Sequence, residues 1–174
     1  MSAGTRIPLA KALAIAAKVV AVLGPHCLKI DIAGSVRRQS LTIGDLEIVC
    51  LPNRDPLEST PLFAGGFAAS VEQWPKILGD PDGRYTKRML PCELKLDLFM
   101  PHPDGYGLIL AIRTGSADWV RKNLATGWRR AGFHSDKGLL RRADKSVVPC
   151  RTERELFDVI GLRWVEPVDR EVGP

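Results

Sequence analysis

The sequence predicts an α+β protein built on a mixed or antiparallel sheet with helices on one face. Three observations lead there. Runs of strand character occupy residues 27–34, 45–51 and 93–99, the last two alternating apolar and charged. A helix of 3.6-residue period precedes them, and after residue 105 helical periodicity returns around a single hairpin signal. With 174 residues there is room for one ordinary domain, or for two small ones sharing a core.

Residues 8–23 form the first element. Leu9, Leu13, Ala16, Val20 and Leu23 follow one helical stripe, with Lys11 and Lys18 on the opposite side. Pro8 suits a first turn and Gly24-Pro25 ends the helix. The two lysines make it an amphipathic core helix rather than a secretory signal or a membrane span. An apolar strand over 27–34 leads into a Gly34-Ser35 turn, and a second strand follows at 45–51. Residues 51–83 are rich in Pro and Gly, an elaborated connection with room for one short helix at 67–74. Gly65-Gly66 lacks the spacing and the following Lys-Ser/Thr of a phosphate loop.

Asp82-Gly83 opens a hairpin arm over 84–90, followed by the strand at 93–99. On that strand Leu94, Leu96 and Leu98 form the buried face, and Glu93, Lys95, Asp97 and Phe99 the other. A short apolar helix at 106–112 is broken by Thr114-Gly115-Ser116, and Ser116 caps the next helix, 117–130. Trp119, Leu124 and Trp128 mark its buried side. Strands at 132–135 and 139–142 flank Asp136-Lys137-Gly138. Thr152 and Glu155 match a capping box for a helix that stops at Gly161.

Charge is unevenly placed. The chain carries +5 overall, yet residues 113–154 hold 11 Lys and Arg against four acids. Such a segment suits either a phosphate backbone or a solvated helix face. Four separated cysteines without a Cys-x-x-Cys pair are expected to be free thiols, mostly buried, in a reducing compartment. The three histidines form no ligand spacing.

The chemistry is placed between Gly34 and Cys50. Asp45 and Glu47, two apart on a strand, point to the same side. Like charges that close persist where a cation, or a shared proton, removes the repulsion. A metal ion is the first reading. Asp97 projects from a sheet face where the Asp45/Glu47 strand could be its neighbour. Alone, it would be read as paired to a nearby Lys or Arg.

Together, Gly34-Ser35-Val36-Arg37-Arg38, Ile43-Gly44-Asp45-Leu46-Glu47-Ile48-Val49 and Lys95-Leu96-Asp97-Leu98 resemble the nucleotidyltransferase superfamily. Within it, the chain is similar to the family X DNA polymerases related to polymerase beta. The likeness continues through 83–88, Arg113-Thr114-Gly115-Ser116 and the segment 152–167 with Arg170, and covers about residues 6–171 in the family's order. It implies a catalytic palm over 1–112 and a small α/β thumb over 113–174, a minimal palm-plus-thumb form.

The resemblance also implies roles. Asp45, Glu47 and Asp97 would hold two Mg²⁺ ions (or Mn²⁺ in their place), about 3.5–4 Å apart, for an in-line displacement at a primer 3′-hydroxyl. Gly34, Ser35, Arg38 and Gly44 would meet the nucleotide and its phosphates, with Arg113, Thr114 and Gly115 on the sugar side. Lys87, Arg88 and Lys95, then Arg121, Lys122, Arg129, Arg130, Arg141 and Arg142, would bind DNA. The implied activity is template-directed addition from dNTPs on a primer-template or gapped duplex, in short-gap repair. Transfer without a template and a non-catalytic nucleic-acid-binding module are the alternatives. An intracellular, cytoplasmic setting is expected, with no membrane and no obligate protein partner.

Three departures from the family pattern stand out. Glu47 occupies a position where the polymerases usually have Asp. Ile112-Arg113 replaces the aromatic pair that usually precedes Thr-Gly-Ser. The likeness begins at the palm, so no deoxyribose-phosphate lyase activity is expected.

Overall fold

The computed structural model describes residues 6–54 and 66–171. The chain divides into two compact units, Met1–Met100 and Pro101–Pro174. The predicted α+β class holds.

In the first unit β2 (Cys27–Ile32), β4 (Asp45–Pro52), β5 (Lys76–Gly79), β6 (Tyr85–Met89) and β7 (Lys95–Phe99) form one sheet, in the order β2-β4-β7-β6-β5. β4 and β7 run parallel and the other neighbours antiparallel, so the sheet is mixed. A separate two-residue ladder pairs β1 (Ile7–Pro8) with β3 (Thr42–Ile43). Helices α1 (Leu9–Leu23) and α3 (Gly66–Glu72) cover one face, where Leu46, Ile48, Leu96 and Leu98 pack with Ala16, Val19 and Phe67. The alternation on β4 and β7 therefore has a physical outcome: apolar side chains meet the helices and charged ones point the other way.

The α1 stripe is rotated from the one predicted. Ala12, Ala16, Val19 and Leu23 are buried, whereas Leu13 is 46% exposed. The stripe turned inward combines two alanines with Val19 and Leu23, and Leu13 falls outside it. Lys11 and Lys18 are exposed as expected. Leu9–His26 is long and apolar enough to cross a membrane by length and composition, but its inner stripe belongs to the core of the sheet.

β5 falls in the stretch predicted as a connection, as does α3, which lies close to its predicted place. Gly65 lies outside the described residues. The cysteines are free, but Cys92 is exposed and Cys27 only half-buried. A hydrogen bond between Cys27 and Cys50 lowers the first thiol's pKa and raises that of the second, which burial raises further.

The second unit begins twelve residues before the predicted boundary at 112/113. The reason is α4 (Tyr106–Thr114): Leu108 and Ala111 pack with Leu124, Leu156 and Phe157. Gly107 N–H donates to Cys150 O at 2.7 Å, and a side chain at Gly107 would run into the Thr152 backbone. Next, α5 (Ala117–Trp119) passes through a wide π turn, Val120–Ala125, into α6 (Thr126–Arg130). Trp119 N–H donates to the capping Ser116 Oγ at 3.3 Å. The predicted hairpin is present as β8 (His134–Asp136) and β9 (Leu139–Arg141), and β10 (Val147–Val148) adds a third strand. Lys137 and Gly138 both take positive φ, 49° and 79°, the backbone of a two-residue type I′ hairpin turn.

Helix α7 (Glu153–Val159) is capped by Thr152 Oγ1, which accepts from Glu155 N–H at 3.2 Å. Glu155 reaches back to Arg151 N–H at 2.7 Å, one residue beyond the usual box. At the centre of this unit the guanidinium of Arg170 is fully buried, hydrogen-bonded to Glu153 and ringed by Trp119, Phe157 and Trp164.

Candidate active site

The site grows from the end of β2. Ala33 N–H donates to Glu47 O at 2.8 Å, continuing the β2–β4 ladder by one step. The chain then turns at Gly34, whose φ of +62° lies in the left-handed region. A Cβ there would overlap Glu47 Oε2, so glycine is required by conformation and by space together. The predicted turn is in fact one helical turn, α2 (Gly34–Arg37), closed by Arg38 N–H donating to Gly34 O at 3.1 Å.

Parallel pairing of β4 with β7 sets Glu47 opposite Asp97 and Asp45 opposite Lys95. The side-by-side placement expected of the two acidic strands is thus present. An open cavity of about 570 Å³ lies over this face, lined by Arg6, Ser35, Arg38, Gly44, Asp45, Glu47, Lys87 and Lys95. Four cations against two carboxylates give the walls a positive excess, which suits a polyanionic ligand. The volume is that of an ordinary small-molecule site.

Asp97 is not among the lining residues. It is 5% exposed, and its Oδ1 accepts a short hydrogen bond from Tyr85 OH. Lys87 Nζ lies 3.2 Å from the same oxygen, while Oδ2 is buried without a hydrogen-bond partner. The pairing of Asp97 with a nearby lysine, read from the alternating strand alone, is what the structure contains. Antiparallel pairing of β6 with β7 sets Lys87 directly across from Asp97, and Tyr85 packs on Phe99 with ring centroids 5.1 Å apart.

The donor set suits a hard divalent cation such as Mg²⁺, since every candidate ligand atom is a carboxylate oxygen. The partnerless Asp97 Oδ2 is an atom such a cation would satisfy. Among the described residues, no three acidic, His or Cys side chains converge as a ready-made metal cluster. Asp45, Glu47 and Asp97 share a face, but Lys87 and Tyr85 engage the third of them.

Other predicted residues are distributed unevenly. Arg88 is a correction: it is 3% exposed. Its Nε donates to Thr86 Oγ1 at 3.0 Å and its Nη1 reaches Trp74 O at 3.5 Å, so it holds the unit together from inside and presents nothing to DNA. Lys87 turns onto Asp97, and Lys95 opens onto the cavity. In the second unit Arg113 is exposed, Thr114 is buried, and Gly115 packs closely on Trp119. Lys122, Arg129, Arg130 and Arg142 are exposed. Arg121 is exposed but paired with Asp118 at 2.6 Å. Arg141 lies 3.4 Å from Asp136 and donates to Lys145 O at 2.8 Å, which makes it a hairpin brace.

Two residues escaped sequence reasoning. Arg6 lines the cavity because its Nε and Nη2 donate to Thr42 Oγ1 and O, at 3.0 and 2.8 Å. No motif near residue 6 signals this. Tyr85 sits in a stretch with family likeness, but its hydroxyl's target depends on a pairing between strands.

Residues 109–171 match the family described as DNA polymerase beta thumb. No curated protein matches the chain. The second unit is thus similar to the thumb of a family X polymerase, which supports a polymerase-related, DNA-binding theme.

Proposed function

We propose that this chain is an intracellular nucleotidyltransferase of the family X polymerase kind, with its palm in the first unit. It adds deoxynucleoside monophosphates to a DNA primer 3′-hydroxyl, releasing pyrophosphate, and fills short gaps. The observation that carries this reading is the in-register placement of Glu47 beside Asp97, next to the Gly34-Ser35 turn and under a basic cavity. The thumb-like match over 109–171 supports DNA as the acceptor.

In this reading Ser35 and Arg38 bind the outer phosphates of the incoming nucleotide, the arginine by charge-assisted hydrogen bonds. Arg6, at the rim, adds a third positive contact. Asp45, Glu47 and Asp97 would hold Mg²⁺, which supplies charge neutralisation at the phosphates and acidifies the attacking hydroxyl. Lys122, Arg129 and Arg130 meet DNA phosphates, where they fix position without reading sequence.

Primer extension on a gapped duplex with Mg²⁺ or Mn²⁺, offering each dNTP and rNTP singly, tests the proposal. Incorporation governed by the templating base is the expected result. Addition of one nucleotide whatever the template points to template-independent transfer. DNA binding without any incorporation, in wild type and Asp97→Ala alike, points to a binding module, a reading that the Lys87–Asp97 pair itself favours.

A further inference from the structure

We propose that Lys87 is a built-in counter-ion of Asp97, a positioning residue that a divalent cation must displace before the third carboxylate becomes a ligand. The inference rests on the reading of Asp45, Glu47 and Asp97 as cation ligands. Its ground is geometric. Lys87 lines the cavity and Asp97 does not. The ammonium lies 3.2 Å from Asp97 Oδ1, with side-chain exposures of 26% for Lys87 and 7% for Asp97. The lysine thus borders the open space while its ammonium is paired with the buried carboxylate.

The pairing is imposed by the fold. Lys87 and Asp97 are direct antiparallel partners, so their side chains leave the same face at close range. Tyr85, two residues earlier on β6, donates to the same oxygen, which helps fix the carboxylate's orientation while Oδ2 remains without a hydrogen-bond partner. Asp45 and Glu47 face the cavity from β4, with Lys95, Arg38 and Arg6 around them. Swinging Lys87 into the cavity needs no backbone change, because a four-carbon stem reorients by rotamer alone. Its charge would then lie among the phosphate-binding cations, where a polyanion favours it. Cation entry and nucleotide entry are coupled by one side chain.

Mn²⁺ binding to the full chain tests this directly, read from the loss of the free-ion electron paramagnetic resonance signal without nucleotide or DNA. Lys87→Met should bind Mn²⁺ on the order of tenfold more tightly than wild type, since a competing positive charge at contact distance is gone. Lys87→Arg should stay near wild type. Lys87→Gln replaces Lys87→Met if the latter does not fold. Damage to the strand would loosen binding, so tightening separates charge competition from a structural role. Asp45-dependent Mn²⁺ binding that is unchanged or weaker in Lys87→Met overturns the counter-ion assignment and leaves the metal reading standing. Absence of Asp45-dependent binding in both proteins overturns both.

Discussion

The carboxylate of Glu47 lies over the Cα of Gly34, filling the space that any side chain at residue 34 would need. The glycine that begins α2 and the acid on β4 are one device. An Asp in place of Glu47 would be shorter by one methylene and would leave part of this space open.

Gly34→Ala should therefore destabilise the chain by about 1–2 kcal/mol from the left-handed backbone alone, and by more through overlap with Glu47. In a Glu47→Asp background the second contribution should shrink. Urea denaturation of the four proteins of this cycle checks it; strictly additive effects would show that the two residues are not coupled.

Asp45→Ala should abolish nucleotide transfer and leave the fold intact. Asp45 is only half-buried, its neighbour on β7 is the exposed Lys95, and the core lies on the other face. Primer extension and the urea midpoint measured together decide this. Wild-type-like turnover would remove Asp45 from the chemistry.

Arg129 and Arg130 are exposed at the end of α6. Changing both to Ala should lower the slope of log K against log salt for duplex binding by about 1.8, near 0.9 for each phosphate no longer neutralised. Arg88→Ala should behave oppositely. Removing it strands buried partners at about 1–3 kcal/mol of stability, while the salt slope stays where it was. Fluorescence anisotropy across a salt series, with thermal melts, separates the two outcomes.

Glu153→Ala should cost about 3–5 kcal/mol, because it removes a buried carboxylate that is bound to the fully buried guanidinium of Arg170. Replacing both members with apolar residues should cost less than removing either one. Trp119 and Trp164 surround this pair, so tryptophan fluorescence during denaturation reports it.

What could be read from the sequence were the local patterns: the alternation on β4 and β7, the two capping residues Ser116 and Thr152, and the Lys137-Gly138 turn. These depend on neighbours in the chain. The burial of Arg88, the pairing of Lys87 with Asp97 and the placing of Arg6 depend on strands and segments distant in sequence. Alternation along one short strand sends Lys87 and Arg88 to opposite faces, but no local rule says which of the two faces is buried. Their opposite orientations became functional facts only once β6 had a partner on each side. The stripe of α1 failed differently: leucines outrank alanines in hydrophobicity, yet Ala12 is buried and Leu13 exposed, because the rotation of the helix is set by what packs against it and not by its own sequence alone.

The π turn at Val120–Ala125 explains why Trp119, Leu124 and Trp128 share a core despite an initial step of five residues. On a regular α-helix that step would carry Leu124 well away from the face of Trp119. One residue's worth of extra winding brings it back, and Asn123 helps hold the wide turn by donating its side-chain amide to Trp119 O at 3.0 Å. The stretch behaves as a helix with a one-residue insertion already absorbed. Deleting Asn123 would restore ordinary winding with both halves of the helix still in phase, whereas regular winding at the present length would swing Arg121 and Lys122 round relative to Arg129 and Arg130. The cationic outline of this unit is thus written in helical phase as much as in the number of its arginines.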